Sequence, residues 1–336
     1  MLVELGQLRY NAFVRTLQLY LRLGKRIVMS LILELALAGI VIALPLLAYA
    51  RLVEPFRVSL RRETLELEDL PPGLDGLTIL HLSDLHLRKG DHGRAELIRR
   101  VSDVEADIIA ITGDFIETDD DVDFCLRTIQ GLRARYGIFG VLGNHDHMGD
   151  RHFLHTIFKC WQRSNDVQGL IRRLEGIGIK VLVNEGVPVR IDGQDLWVVG
   201  VDDPYKRLHN VPLALRGIPP EGYKLLLAHS PDVVDQIGSD EVNLILCGHT
   251  HGGQIVFPLL GALVTRTRRR LRRAWGWHRV GKTSMHISRG IASSLMLRLG
   301  CPPEANLIQL KHRPCSLSEV VILSDLGRRT TGRSIK

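Results

Sequence analysis

Cysteine is scarce and unpatterned. The 336 residues hold five, Cys125, Cys160, Cys247, Cys301 and Cys315, an odd number without CxxC spacing. That excludes a disulfide framework and a cysteine-ligated zinc knuckle, and leans toward a reducing compartment. Cys247 lies inside an apolar run and is expected in the core. No internal repeat is legible, so nothing points to a solenoid. Acidic residues are nearly missing from the first fifty positions. Glu4 stands alone against Arg9, Arg15, Arg22, Lys25 and Arg26, and Ser30 and Glu34 are the polar interruptions of the run Val28–Ala50.

That run is long enough to cross a bilayer, which takes about 20 residues. Ala48-Tyr49-Ala50 has the small-residue pattern of a signal-peptidase site, but the apolar core exceeds the ~7–15 residues of a signal peptide, so the run reads as an uncleaved anchor. Glu34 inside it is costly unless it meets a partner or lies near the interface. Basic residues flank both ends, with Arg51, Arg57, Arg61 and Arg62 on the far side, and the positive-inside rule does not choose an orientation. The cytoplasmic side is the working expectation for the rest of the chain. The expected organisation is a basic segment over 1–27, an anchor over 28–50, a charged linker over 51–76 leading to an edge strand, a single α/β domain over 77–312 and a polar tail over 313–336.

Within the domain, five apolar runs read as buried strands, and each ends in Asp, Asn or His. Leu77–Ser83 leads into Asp84-Leu85-His86, and Ile108–Thr112 into Gly113-Asp114. Ile138–Leu142 leads into Gly143-Asn144-His145-Asp146, Leu225–Ala228 into His229, and Leu244–Cys247 into Gly248-His249-Thr250-His251-Gly252-Gly253-Gln254. Ligands in α/β folds gather at the carboxyl ends of strands. Arg94–Val104 has helical periodicity, and Asp119-Asp120-Asp121 suits the start of a helix ending near Arg135 because negative charge favours a helix N-terminus. The later strands crowd together, which fits two facing sheets with helices outside.

The five motifs, in this order, resemble the calcineurin-like metallophosphoesterase family over roughly Leu77 to Lys311. The resemblance implies a four-layer αββα sandwich. It also implies a pair of divalent cations, manganese first, with iron or zinc as alternatives. Carried over position by position, Asp84, His86 and His251 would bind one ion, Asn144, His229 and His249 the second, and Asp114 would bridge them. Mixed carboxylate and imidazole donors suit such metals better than calcium, and paired cations acidify water for in-line attack on phosphorus. His145 would stabilise the transition state or protonate the leaving oxygen, with Asp146 orienting it through a hydrogen bond. One departure is Glu117, where many family members carry Asp or Asn; it is not expected to touch the ions.

Two further stretches bear on substrate. His147–Asn165 is rich in histidine and aromatics directly after the third motif and could cover the substrate. Phe257–His278 sets Arg266, Arg268, Arg269, Arg270, Arg272 and Arg273 beside Trp275 and Trp277. Such a patch suits nucleic acid or anionic lipid, and the anchor favours lipid, so no nucleic-acid partner is expected. The anchor, GHTHGGQ, Ser288-Arg289-Gly290 and Pro303-Glu304 together look like a membrane-linked bacterial group similar to UDP-2,3-diacylglucosamine pyrophosphatases of lipid A synthesis. A lipid-linked pyrophosphate is therefore the expected substrate. A general phosphodiesterase or phosphatase, a nuclease and a metal-free scaffold are the alternatives.

Overall fold

The computed structural model describes residues 2–149, 163–238, 241–259, 261–262, 265, 267–268, 274–293 and 296–313. The chain divides into two units, Met1–Ala50 and Arg51–Lys336. Helix α1, Leu2–Leu52, runs through the basic segment and the apolar run without a break, so these two expected segments form one element. The stretch Leu19–Phe56, which includes most of α1 and the turn after it, is long and apolar enough to cross a membrane. Ser30 Oγ donates to Glu34 Oε1 one turn later at 3.1 Å, giving the carboxylate a local partner.

The second unit is built on two six-stranded sheets. The first contains β1 (Ser59–Leu67), β2 (Thr78–Leu82), β3 (Ile108–Thr112), β4 (Gly137–Val141), β5 (Ile179–Val181) and β12 (Glu304–His312), in the order β1-β12-β2-β3-β4-β5. The second contains β6 (Glu185–Ile191), β7 (Gln194–Gly200), β8 (Tyr223–Leu227), β9 (Leu244–Cys247), β10 (Gly276–Val280) and β11 (Thr283–Ile287), in the order β10-β11-β9-β8-β7-β6. Strands β2 to β5 are mutually parallel, as are β7, β8, β9 and β11.

The parallel strands are buried on both faces, which is why they read as unbroken apolar runs. Alternation divides each strand between two cores. Ile79, Ile108, Phe139 and Val141 meet Val198, Leu225, Leu227 and Leu246 between the sheets. Leu80, Leu82, Ile109 and Ile111 face α2 (His92–Ser102), α3 (Val122–Ile129) and α4 (Val167–Gly176) on the outer side. Over the second sheet the outer layer is lighter, formed by the short turns Val211–Ala214 and Pro231–Gln236. The acidic triplet starts a helix as expected, through reciprocal bonds between Thr118 and Asp121, but α3 ends at Ile129 rather than near Arg135.

The expected linker is corrected. Residues 59–67 form β1, which pairs in parallel with β12 along its whole length. Its charged side chains hid it, because an edge strand needs only one apolar face. Residues 313–336, expected as a tail, lie outside the described residues apart from Arg313.

A polar knot sits between the sheets. His81 Nδ1 lies 3.3 Å from His286 Nδ1, and His81 Nε2 lies 2.9 Å from Thr112 Oγ1. Trp277 covers His286 at 4.8 Å and donates its indole N–H to Glu63 Oε2 at 2.7 Å. Burial drives the His81 pKa down to about 3 and that of His286 well below 6.5, with His81, His278, Arg61 and Arg289 adding to the latter. Both rings are neutral in the fold and free to protonate when it opens. Their contribution is intact above the unfolded value near 6.5 and is lost as pH falls below it. Between pH 8 and pH 5 the fold should lose about 2 kcal/mol per histidine. Urea unfolding across that range is expected to show a slope that shrinks in the His81→Gln, His286→Gln double variant. An unchanged slope would assign acid sensitivity elsewhere.

Candidate metal centre

Every residue expected at the site leaves the carboxyl end of a strand. Asp84 and His86 follow β2, Asp114 follows β3, Asn144 and His145 follow β4, His229 follows β8, and His249 and His251 follow β9. The loops are stitched together by backbone bonds: Asp84 N donates to Gly113 O at 3.1 Å and His86 N to Asp114 O at 2.8 Å. Asp84, His86, Asp114, His249 and His251 all have positive φ, between 43° and 68°. That conformation is uncommon for residues with a Cβ, and its concentration here is backbone strain held at a functional site. The glycines of the motifs give the carboxylates room. A Cβ on Gly143 would lie 2.2 Å from Asp114 Oδ1, and one on Gly248 2.3 Å from Asp84 Oδ2.

The donors converge from both sheets. Asp114 Oδ2 lies 3.4 Å from His86 Nε2 and 3.3 Å from His229 Nε2. His229 Nε2 is 3.2 Å from both Asn144 Oδ1 and His249 Nδ1, while His251 Nε2 is 3.7 Å from Asp84 Oδ1. The remote nitrogens are fixed by acceptors. His229 Nδ1 lies 2.8 Å from Thr112 O, His251 Nδ1 3.1 Å from Ala292 O, and His86 Nδ1 2.8 Å from Glu117 Oε1. A ring held this way presents its other nitrogen to a metal.

The electrostatics favour a cation. Burial opposes ionisation of Asp114, yet His229, His145 and His86 outweigh it and hold that carboxyl well below its usual range. Asp84 is pushed up by burial and by the charge of Asp114, against the pull of His229. Burial would lower His229, but Asp114 and Asp84 raise it well above 6.5. The pocket thus holds a proton on His229 where a divalent ion would satisfy the same carboxylates. Both ring nitrogens of His86 are buried without an aligned hydrogen bond, Nδ1 standing only in ion-pair reach of Glu117. Mixed oxygen and imidazole donors around such an unsatisfied ring fit a divalent transition metal. Asp84, His86, Asp114 and His251 bring ligand atoms within 4.8 Å of one another.

One expectation is corrected. Asp146 does not orient His145. Its buried carboxylate accepts from Phe115 N at 2.8 Å, Ile116 N at 3.2 Å and Gly143 N at 2.9 Å, tying the loops after β3 and β4 together. Burial and the neighbouring Asp114 raise its pKa to about 7. Glu117 is instead a partner of His145. Its Oε2 lies 2.9 Å from His145 Nδ1, its other oxygen meets His86, and Arg88 Nη2 approaches Oε1 at 3.1 Å. Burial opposes ionisation of Glu117, but His145 and His86 hold it well below its usual range, and Glu117 with Asp114 raises His145 to about 9 despite burial. The signal was its place three residues after Asp114. Beside Glu117 opens a polar cleft of about 820 Å³, bounded by Arg88, Lys89 and the acidic turn at Asp119–Asp123.

The basic-aromatic stretch resolves into different parts. Arg268 is exposed; its backbone N–H donates to Asp232 Oδ1 at 3.0 Å and its Nη2 to Tyr205 O at 2.8 Å. The Tyr205 ring in turn lies 4.6 Å from that of His249, which brings Arg268 within one residue of the centre. Trp275 stacks under the Arg289 guanidinium at 4.8 Å. Trp277 is corrected from a membrane contact to a packing residue, because it belongs to β10 and its indole N–H is held by Glu63. Arg266, Arg269, Arg270, Arg272 and Arg273 lie outside the described residues, as does 150–162 of the expected cover; His147, at its start, holds Asp202 at 2.6 Å.

A two-sheet α/β scaffold with buried Asp and His and a half-buried Asn clustered at the strand ends defines a class of metal-dependent phosphoester hydrolase. The family model described as calcineurin-like phosphoesterase matches residues 77–253, and the chain belongs to that family. It is 30% identical over 263 residues to the uncharacterized metallophosphoesterase YkoQ of Bacillus subtilis, covering 75% of this chain and 90% of that one. It is 28% identical to the phosphodiesterase YaeI of Escherichia coli, covering 69% and 81%. A Bos taurus transmembrane protein with metallophosphoesterase domain is 33% identical over 212 residues, covering 56% and 43%.

Proposed function

We propose that the protein uses two divalent ions to hydrolyse a phosphodiester or pyrophosphate bond in a lipid headgroup, with its catalytic unit on the cytoplasmic face. The observation that carries this reading is the convergence of seven donors from both sheets in a chain whose N-terminal helix is long and apolar enough to cross a membrane. Asp84, His86 and His251 would hold one ion, Asn144, His229 and His249 the other, and Asp114 would serve both. Manganese fits, as do iron and zinc. When bound, the ions neutralise the phosphate and acidify water. The protein's own part is positioning. Glu117 holds His145 Nδ1, and Nε2 is the atom that would protonate the departing oxygen. Arg268 and the arginines that follow it pair phosphates. Free buried thiols at Cys125, Cys247 and Cys301 suit a reducing face.

A second reading, a phosphodiesterase without a lipid requirement, is favoured by the name of the Escherichia coli relative. The metal-loaded protein should be assayed on UDP-2,3-diacylglucosamine, bis-p-nitrophenyl phosphate and a phosphopeptide. Turnover of the lipid substrate well above that of the soluble diester supports the first reading; the reverse order supports the second. Replacing Arg268, Arg269, Arg270, Arg272 and Arg273 with Ser should raise the apparent KM for lipid in anionic vesicles. Each basic residue near such a surface is worth about 1 kcal/mol, so the effect is large and shrinks at high salt. The soluble diester should be nearly unaffected. Equal losses on both substrates would mean that the arginines support the centre itself.

A further inference from the structure

The turn just after the apolar helix is tied to one half of the metal centre. Glu54 is buried, and its two carboxylate oxygens accept from Cys301 N at 2.6 Å and Gly300 N at 3.1 Å. Arg51 Nη1 donates to Met296 O at 2.8 Å. These contacts hold residues 296, 300 and 301 of the connection between β11 and β12, which touches the ligands at Ala292 and Cys301. Ala292 N donates to Asp84 O at 2.9 Å, and Ala292 O lies 3.1 Å from His251 Nδ1. Cys301 Sγ lies 3.4 Å from His251 O.

Two buried arginines complete the frame. Arg298 is fully buried, and its guanidinium is used on backbone carbonyls: Ala292 O at 2.7 Å, Arg289 O at 2.8 Å, and Gly290 O and Cys301 O at 3.3 Å each. Arg94 donates to the carbonyl of His86 and, at 2.9 Å, to Ser293 O. A buried guanidinium is costly unless its donors are satisfied. Among the described residues no carboxylate forms an ion pair with Arg298. A charge buried on carbonyls alone fixes loop geometry, and that loop sits against Asp84, His86 and His251. None of these bonds reaches Asn144, His229 or His249.

We infer that Glu54 and Arg298 are positioning residues for the Asp84, His86 and His251 half of the centre, so that the segment following the apolar helix sets the affinity of one metal position and leaves the other alone. The inference rests on the two-ion reading. A partner that fixes a ligand from behind typically changes metal affinity about 10–100-fold. The test uses the full chain in detergent, stripped of metal and titrated calorimetrically with Mn2+, with electron paramagnetic resonance reporting whether bound Mn2+ is a coupled pair or a single ion.

The unsubstituted protein should bind two ions and show a coupled spectrum. Glu54→Gln keeps the shape but opposes an N–H with an amide N–H; Arg298→Lys keeps the charge but loses the fork. Both should weaken one site about 10–100-fold, leave the other near its original affinity, and give an uncoupled spectrum at limiting Mn2+. Asn144→Ala should weaken the opposite site. Two unchanged sites in the Glu54→Gln protein would overturn the inference. So would equal weakening of both sites, which is what general loosening of the fold predicts. If Arg298→Lys does not fold, Glu54→Gln alone decides. An unsubstituted protein that binds fewer than two ions would overturn the two-ion reading first.

Discussion

Replacing Asp114 with alanine should empty the centre and abolish hydrolysis together. Asp114 Oδ2 lies 3.4 Å from His86 Nε2 and 3.3 Å from His229 Nε2, between the two groups of donors. Its other oxygen accepts the His145 N–H at 2.9 Å. Among the described residues no other carboxylate forms ion pairs with both His86 and His229. Without it, two ions would be held close together by mostly neutral donors, and their repulsion would go uncompensated. Several kcal/mol of transition-state stabilisation depend on the ions, on the order of 10³–10⁵ in kcat at tenfold per ~1.4 kcal/mol. Metal analysis of Asp114→Ala and of the shape-preserving Asp114→Asn should show loss of bound ion in step with loss of turnover. An Asp114→Ala protein that keeps two ions and turns over would remove Asp114 from the bridging position.

The ligand candidates were legible because each lies just beyond an apolar strand buried on both faces. Ile108–Thr112 and Leu244–Cys247 were bounded to the residue, and the polar residue after such a run stands out. What surrounds the ligands was not legible. Strand β1 carries Arg62 and Glu66 on one face and Arg61 and Glu63 on the other, where Leu65 and Leu67 also lie, so charge on both faces masked the alternation. Asp146 follows His145 in sequence, which suggested a pair. Both lie in a helical turn, Asn144–His147, where successive side chains diverge and do not face each other. Glu117 reaches His145 only because the loop after β3 lies against the turn after β4, a tertiary fact. Arg94 and Arg298 look like ordinary surface basics until burial is known. Trp277 shows the opposite error, since proximity to a run of arginines says nothing about which face of β10 it occupies.

Replacing His145 with alanine should leave both ions in place and lower kcat by about 10²–10⁴, the range for a lost acid–base partner. The ring stands at the edge of the centre, with Nδ1 held by Glu117 Oε2 at 2.9 Å and its ring 4.9 Å from that of His86. The same carboxylate holds His86 Nδ1 through its other oxygen at 2.8 Å, so Glu117 supports both a ligand and the proposed acid. The two substitutions should therefore separate. Glu117→Gln should weaken metal binding about 10–100-fold, as loss of a carboxylate behind a ligating imidazole does, and lower turnover even at saturating metal. His145→Ala should not alter metal affinity. The leaving group then distinguishes proton donation from general support. A p-nitrophenolate departs without help, so bis-p-nitrophenyl phosphate should lose little with His145→Ala, whereas an alkyl phosphodiester, whose alkoxide needs a proton, should show the full loss. Measuring kcat for both esters on both variants at saturating Mn2+ checks the assignment. Equal losses on the two esters would mean that His145 stabilises charge on the phosphate rather than protonating the leaving oxygen, and an emptied centre in His145→Ala would make it a ligand.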